Sequence, residues 1–535
     1  MDRRQHRVVP VTTDCDVLVV GWGPVGQVTA ILLAQRGWRV TVLERWPEPY
    51  LFPRAVHFDG ETARILAAAG IGDRLDEVGE PAIDYEFHNG HGEMLMRLDL
   101  PADPPGAAGW PKSYVFHQPA LDQVLQERAS ELPTLQVFKG FEVVGCVERN
   151  DHVEVTAGNR TFAASWVIGC DGANSFVRRG IGASAIDLGY FYDWLLCDLV
   201  LNERREFHPN NLQICDPARP TTVVSGGLDH RRWEFMRLPG ESIDELNELE
   251  TAWKLLAGHG ITPDNATMHR HTVYTFGAQW VDQWRSGRIL LAGDAAHVMP
   301  PFAGQGMCAG IRDAANLAWK LDLVLGGSGN DTILDSYPVE RTGHVRHYIG
   351  LAVEMGKMVC ELDNTAAALR DKVLLARAAD PEAVPPKLGE VPLTEGLLDR
   401  TTACAGSYMP QGRVSNQTRT ALFDDVVGRG FVLLVTEDPF DLLAPADREF
   451  LVGIGTRVVR VVASGSPVGE HTVSDVDGVY LPYLAEFGAA AMLVRPDFYV
   501  FGAATDPQSM AAMVGDLRGQ LLSATPVGTP AGGAR

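Results

Sequence analysis

Asp16-Val-Leu-Val-Val20-Gly21-Trp-Gly23-Pro24-Val-Gly26 is an apolar, β-branched run that stops at glycine and leads into Val28 to Arg36, closed by Gly37. A run of this kind reads as a buried parallel strand, and the stretch after it as a helix. Arg39 to Glu44 (RVTVLE) is a second strand, which makes a βαβ unit. Gly21, Gly23 and Gly26 form G-x-G-x-x-G between strand and helix, and Glu44 lies 23 positions after Gly21. Gly21 allows the tight turn, Gly23 lets backbone approach a pyrophosphate, and Gly26 lets the helix pack close to the strand. The helix N-terminus offers unpaired N–H groups to phosphates, and Glu44 can accept hydrogen bonds from ribose hydroxyls. Pro24 and Arg45, which adjoin these residues, are assigned to the same dinucleotide.

A second stretch decides which dinucleotide. Arg288-Ile-Leu-Leu-Ala292 is a short buried strand that ends in Gly293-Asp294, followed by a Pro/Gly loop and a long helix from about Gly306. A domain that binds only NAD has no need of this segment, whereas FAD does. The flavin's ribityl chain needs a hydroxyl acceptor, which Asp294 can supply. The pyrimidine edge of the ring needs a positive dipole, which the helix starting at Gly306–Met307 can supply. Gly293, Pro301 and Gly304 are assigned to the cofactor with them. Along that helix Met307, Ile311, Ala314, Ala315, Ala318 and Leu321 recur at helical spacing and read as its core face.

Cys170-Asp171-Gly172, with Phe176-Val-Arg178-Arg179 behind it, is a third strand-then-turn-then-helix segment. With it the chain resembles the class A flavoprotein monooxygenases of the para-hydroxybenzoate hydroxylase type, over about residues 14–360. The glycine fingerprint, the DG motif at Asp171 and the GD motif at Asp294 occur in that family's order. The resemblance assigns the Asp171 segment to both FAD and nicotinamide. It also assigns Arg54, in Pro53-Arg54-Ala55, and Gln118 to FAD; Gln118 stands where Arg is commoner. Phe52-Pro-Arg-Ala55, Cys215-Asp-Pro-Ala-Arg-Pro220, Arg232-Trp-Glu-Phe-Met236 and Pro239-Gly-Glu241 look most like 3-(3-hydroxyphenyl)propionate hydroxylases. Val494-Arg-Pro-Asp497 and Tyr499 resemble the thioredoxin-like module of phenol-hydroxylase relatives. That module lacks CxxC here, so packing or dimer contacts are expected of it rather than redox chemistry.

The expected fold is therefore α/β. A discontinuous Rossmann-like FAD domain (1–185 and 275–380) carries an inserted antiparallel substrate sheet (186–274). A linker (381–395), a thioredoxin-like domain (396–522) and a disordered tail (523–535) follow. The implied reaction is NADH- or NADPH-driven hydroxylation of a phenol through a flavin C4a-hydroperoxide. The expected substrate is 3-(3-hydroxyphenyl)propionate or 3-hydroxycinnamate, attacked ortho to its hydroxyl in aromatic catabolism. The alternative is tailoring of a polyketide or other large aromatic metabolite. An FAD dehydrogenase or oxidase is a rival class, against which the Pro300-Pro301 loop argues.

No catalytic residue is assigned: His57, Tyr192, His230 and Tyr274 are candidates for drawing a phenolic proton, and nothing in the sequence selects among them. Arg219, Arg231 and Arg232 are candidates for a substrate carboxylate. His297 is read as shaping the flavin loop, and Arg178-Arg179 as a solvated helix face.

Composition limits the partners. Across 535 residues, 46 Lys+Arg against 68 Asp+Glu give a net charge of −22. That balance opposes sequence-independent nucleic-acid binding. No apolar run is long enough to span a membrane, and Asp14 and Asp16 interrupt the run that a signal peptide would need. The eight scattered cysteines suit neither a zinc site nor a disulfide framework. The expected partners are thus a small aromatic substrate and O2, with no metal, no nucleic acid and no membrane, in the cytoplasm; a homodimer is left open.

Overall fold

The computed structural model describes residues 13–100, 105–203, 205–380, 382, 390–437 and 443–524. Most of the expected linker and nearly all of the expected tail lie outside those residues.

The first strand, Cys15–Val20, sits at the centre of the principal sheet. Val17, Leu18 and Val19 are fully buried, so both of its faces are covered, as its unbroken apolar run requires. It pairs in parallel with Val40–Glu44 on one side and with Arg160–Gly169 on the other. Ile289–Leu291 adds in parallel beyond Arg160–Gly169, and Leu135–Lys139 beyond Val40–Glu44. The chain leaves the first strand to one side and returns much later on the other. Such a reversal of strand order opens a crevice beyond the carboxyl ends of the strands. The turns at Gly21, Asp171 and Asp294 all lie at that edge, one after each of three neighbouring strands: Val20 is level with Gly169, and Gly169 with Leu291.

A second sheet has seven strands, ordered Ala266–Phe276, Tyr192–Leu201, His230–Met236, Thr221–Ser225, Leu212–Cys215, Asp84–Asn89 and Met94–Asp99. Segment 186–274 does not build it alone. The last two strands come from the 1–185 stretch expected to belong to the cofactor domain, and Leu212–Cys215 joins Asp84–Asn89 in parallel rather than antiparallel. The irregular Gly- and Pro-rich surroundings of Asp84–Asp99 hide this pairing from local pattern. A third, seven-stranded mixed sheet lies between Arg413 and Ala504, flanked by the helices Pro445–Gly453, Tyr480–Glu486 and Pro507–Leu522.

The helix Gly306–Leu325 is buried nearly all round, not along one stripe. Ile311, Ala314, Ala318 and Leu321 are fully buried, but so are Asp313 and Lys320 on other faces. The C-terminal sheet covers what would otherwise be the wet face: Trp319 packs edge-on against Phe431, ring centroids 5.4 Å apart. Lys320 and Arg495 both donate to Glu340, at 2.7 and 2.6 Å. No helix among the described residues is long and apolar enough to cross a membrane.

Candidate cofactor and substrate site

At the first turn two glycines are demanded by packing and one is not. Gly21 has φ +103°, and a Cβ there would lie 2.5 Å from the Cys170 carbonyl oxygen. A Cβ on Gly26 would run into the Gly21 carbonyl. A Cβ on Gly23 would meet nothing within 4 Å, so this glycine faces the open crevice, where a phosphate would approach. Pro24 opens the helix Pro24–Ala34 at a position whose N–H would have no intrahelical partner. Glu44 accepts from the backbone N–H groups of Trp22 (2.8 Å) and Trp46 (2.9 Å), which fix its carboxylate at the strand end. Arg45 is exposed and rests over the Trp46 ring.

The other two turns differ in how their aspartates are held. Asp171 accepts from Ser175 Oγ (2.5 Å) and from the backbone N–H groups of Phe176 (2.6 Å) and Val177 (3.1 Å). Its carboxylate is occupied by the first N–H groups of the short helix Phe176–Gly180, whose N-cap is Ser175. Asp294 has no hydrogen-bond partner among the described residues. It is solvent-exposed, yet the protein around it pushes its carboxyl above the usual range by desolvation. A side chain with both properties lines a recess. Arg178 joins the two turns, donating to the Ala295 carbonyl at 3.2 Å, so it is not simply a solvated residue.

Behind Asp294 stands a residue that sequence reasoning did not single out. Asp313, fully buried on the helix Gly306–Leu325, accepts from Gly293 N (3.0 Å) and Arg341 Nε (2.7 Å) and pairs with His297 Nε2 (2.7 Å). Its carboxyl lies below the usual range, because the His297 and Arg341 contacts outweigh the opposing desolvation. An aspartate within an apolar helix stretch was the local signal.

Across the crevice, Gln118 Oε1 accepts from the N–H groups of Arg54 and Ala55, both at 2.9 Å, and so holds the 53–55 loop. The second sheet grips the same loop from the other side. Arg232 donates to the carbonyls of Pro53 (2.5 Å) and Arg54 (3.0 Å), and Arg270 to that of Pro53 (2.7 Å). Both guanidinium groups bond to buried Asp198. The Arg54 side chain is exposed over Tyr50.

Pro301 opens a tight turn that ends at Gly304, with φ +63°. His57 Nδ1 lies 3.1 Å from the Gly304 carbonyl and Nε2 2.8 Å from Ser113 Oγ. A carbonyl only accepts, so Nδ1 carries the proton and Nε2 accepts from the serine. Burial holds the pKa of this ring below the ordinary histidine range. His57 is therefore a brace between the 53–57 and 301–304 loops. The first N–H groups of the Gly306 helix, including Met307, emerge beside that brace with no intrahelical acceptor.

The other candidates separate in the same way. His230 stacks on His117, ring centroids 3.9 Å apart. Tyr192 packs with Tyr190 and Phe276. Tyr274 Oη donates to Glu234 Oε2 at 3.3 Å. Arg219 makes a paired contact with Glu241 at 2.8 and 2.5 Å. Arg231 faces the opposite side of the sheet and lies over Phe207. Arg219 and Arg232 are thus engaged by protein carboxylates, whereas Arg231 bonds only to Asn210 and keeps two buried donors without a partner among the described residues. All eight cysteines are free thiols. Among the described residues no cluster of His, Cys, Asp and Glu could hold a metal ion.

The turns fit an extended dinucleotide with a hydroxylated chain: open space at Gly23, a fixed ribose acceptor at Glu44, and an unpartnered carboxylate in a recess at Asp294. Comparison with known proteins agrees. The model of the FAD binding domain matches residues 14–351, and that of the HcaD C-terminal domain matches 406–520. The chain is 39% identical to a probable NADH-specific resorcinol 4-hydroxylase of Rhodococcus jostii, over 94% of each protein. It is 31% identical to a 3-(3-hydroxy-phenyl)propionate/3-hydroxycinnamic acid hydroxylase of Comamonas testosteroni, over 94% of this chain and 96% of that protein. In fold it resembles the flavin-dependent monooxygenase PieE, solved with FAD and substrate, with a TM-score of 0.75 at 21% identity over 95% of this chain and 99% of that one. Aklavinone-11 hydroxylase, solved with FAD and aklavinone, gives 0.74 at 22% identity, over 95% and 99%. The chain belongs to the FAD-binding-domain family of class A flavoprotein monooxygenases.

Proposed function

We propose that this protein uses FAD, NADH and O2 to hydroxylate a single-ring phenol of the resorcinol type. The observation that carries the substrate class is that Arg219 and Arg232 are paired with protein carboxylates while Arg231, bonded to Asn210, points to the other face of the sheet, so none of the three is a free cation on the face that Arg232 lines. The 39%-identical relative named for resorcinol and NADH supports the same reading.

Bound FAD would supply electron transfer from NADH and activation of O2. The chain's own residues do the rest. Gly21, Gly23, Pro24, Gly26 and Glu44 receive the adenosine end and the pyrophosphate. Asp294 accepts a hydroxyl of the linking chain. The Gly306–Met307 turn sets a positive dipole beside the ring, and the loops held by Gln118 and His57 enclose it. Trp194, Phe276 and Phe302, packed together below the second sheet, exclude water from the reacting side. Asp171 acts through the helix Phe176–Gly180, whose first N–H groups it accepts from.

Segment 396–522 fits a thioredoxin-like module with a packing role: Tyr499 Oη donates to Glu61 (2.8 Å), which pairs with Arg312 (2.6 Å) behind the Gly306 turn. The chain divides into a discontinuous FAD domain, 1–185 with 275–380, and the inserted segment 186–274, with Asp84–Asp99 serving the second sheet.

A second reading, 3-(3-hydroxyphenyl)propionate, rests on the 31%-identical relative and on the resemblance around Arg232–Met236. A panel of resorcinol, phenol and 3-(3-hydroxyphenyl)propionate, assayed for NADH oxidation and hydroxylated product, tests both. Resorcinol should give product at the highest kcat/KM. Preference for the propionate would shift the substrate class, and peroxide alone from every phenol would remove the hydroxylase reading.

A further inference from the structure

Resting on the hydroxylase reading, we propose that Glu234, seated by Tyr274, is the hydrogen-bond acceptor for an aromatic hydroxyl of the substrate. The alternation of the strand His230–Met236 places Arg232, Glu234 and Met236 on one face. Arg232 reaches the 53–54 loop, and Met236 belongs to the apolar cluster that contains Phe302. Glu234 therefore sits between the points where the sheet meets the two loops that His57 joins. Across the ladder it is level with Leu196 and Thr222.

Glu234 is only 6% exposed, and its carboxylate is incompletely satisfied. Oε2 accepts from Tyr274, while Oε1 has no donor within hydrogen-bonding distance among the described residues; the nearest cation, Arg232 Nη1, is 3.7 Å away. Arg232 directs its donors to Asp198 and the loop carbonyls instead. A carboxylate oxygen without a protein donor, on a side chain otherwise buried, is an acceptor open to a ligand that supplies one. A phenol O–H is such a donor, and donating to a carboxylate leaves more electron density on the ring, which favours attack by an electrophilic oxygen. The surroundings suit a neutral phenol better than an anion. The charged and titratable groups facing Glu234 are Arg232 on its own strand, Asp198 on the next, Arg270 and Tyr274 beyond it, and Tyr85; the Cys197 thiol lies behind the sheet. Burial raises the Glu234 carboxyl above its ordinary range against the pull of Arg232.

The test uses the FAD-loaded full chain and Glu234→Gln with the phenol that the wild type turns over best. The expected result is a fall in kcat/KM of at least about tenfold, normal FAD content, and loss of the acidic limb of the pH profile. Tyr274→Phe removes the donor to Oε2, disfavours the charged form, and should move that limb to higher pH. If Glu234→Gln is recovered without FAD, Tyr274→Phe carries the test. Wild-type kcat/KM together with an unmoved acidic limb in either flavin-loaded variant overturns the proposal while leaving the hydroxylase reading intact. A wild-type protein with no phenol-dependent turnover overturns both.

Discussion

Asp171 and Asp294 look alike in sequence: each ends a buried strand, each adjoins a glycine, and the strands before them are parallel neighbours. In the folded chain they do opposite things. Three local donors take up the Asp171 carboxylate, whereas Asp294 is left without a donor in a recess braced from behind by Asp313. The same residue type at the same kind of turn therefore serves the protein in one place and is left available to a ligand in the other. Local spacing marks where a turn lies; the hydrogen-bond ledger around it shows what the turn can do.

That contrast breaks most severely behind the Asp294 turn. Asp313→Ala would strip the buried Arg341 of its carboxylate partner and free Gly293 N, and should cost about 3–5 kcal/mol in denaturant unfolding. Asp294→Ala removes no contact within the protein. It should weaken FAD binding about tenfold or more in equilibrium titration, with apoprotein stability unchanged.

Acid offers a third test, on the same side of the crevice. Asp59 pairs with Arg312, which also holds Gln305 at the head of the Gly306 helix. Its carboxyl is depressed from 3.8 to about 2, the Arg312 charge and the Thr62 N–H overcoming desolvation. A group depressed in the folded state contributes stability above its unfolded pKa and loses it as pH falls through the folded one. Stability should therefore drop between pH 4 and pH 2, by on the order of 2 kcal/mol from this group; Asp59→Asn should remove that part of the slope. The smallest effect is expected at the other turn. Asp171→Ala should lose the acceptor of two first-turn N–H groups and of the capping Ser175, worth about 1 kcal/mol, lowering Tm while reducing FAD affinity less than Asp294→Ala does. Equal loss of FAD from the two variants would erase the distinction between the turns.

The parts of this site that were legible in the sequence are those fixed by backbone needs close along the chain. Gly21 and Gly26 are required by contacts a side chain would obstruct, and strand, turn and helix follow one another within a short span, so residue type and position point to the same conclusion. What stayed hidden depends on partners far along the chain. Arg232 reads as a candidate substrate anchor until Asp198 and the Pro53 carbonyl are seen against it. His57 reads as a candidate base until Gly304 and Ser113 occupy both its nitrogens. Asp84–Asn89 gives no sign that Leu212–Cys215 is its neighbour, and Glu234 carries no mark of its missing donor. Long-range pairing of this kind leaves no periodicity to read.

The central claim is that turns from three strands grip one flavin dinucleotide so that a phenol beneath the second sheet can be hydroxylated. The most direct measurement is stoichiometry on the purified protein: bound FAD per chain, then NADH consumed against hydroxylated product formed with resorcinol. The account predicts one FAD per chain and product close to the NADH consumed. A colourless protein that takes up no added FAD would contradict it.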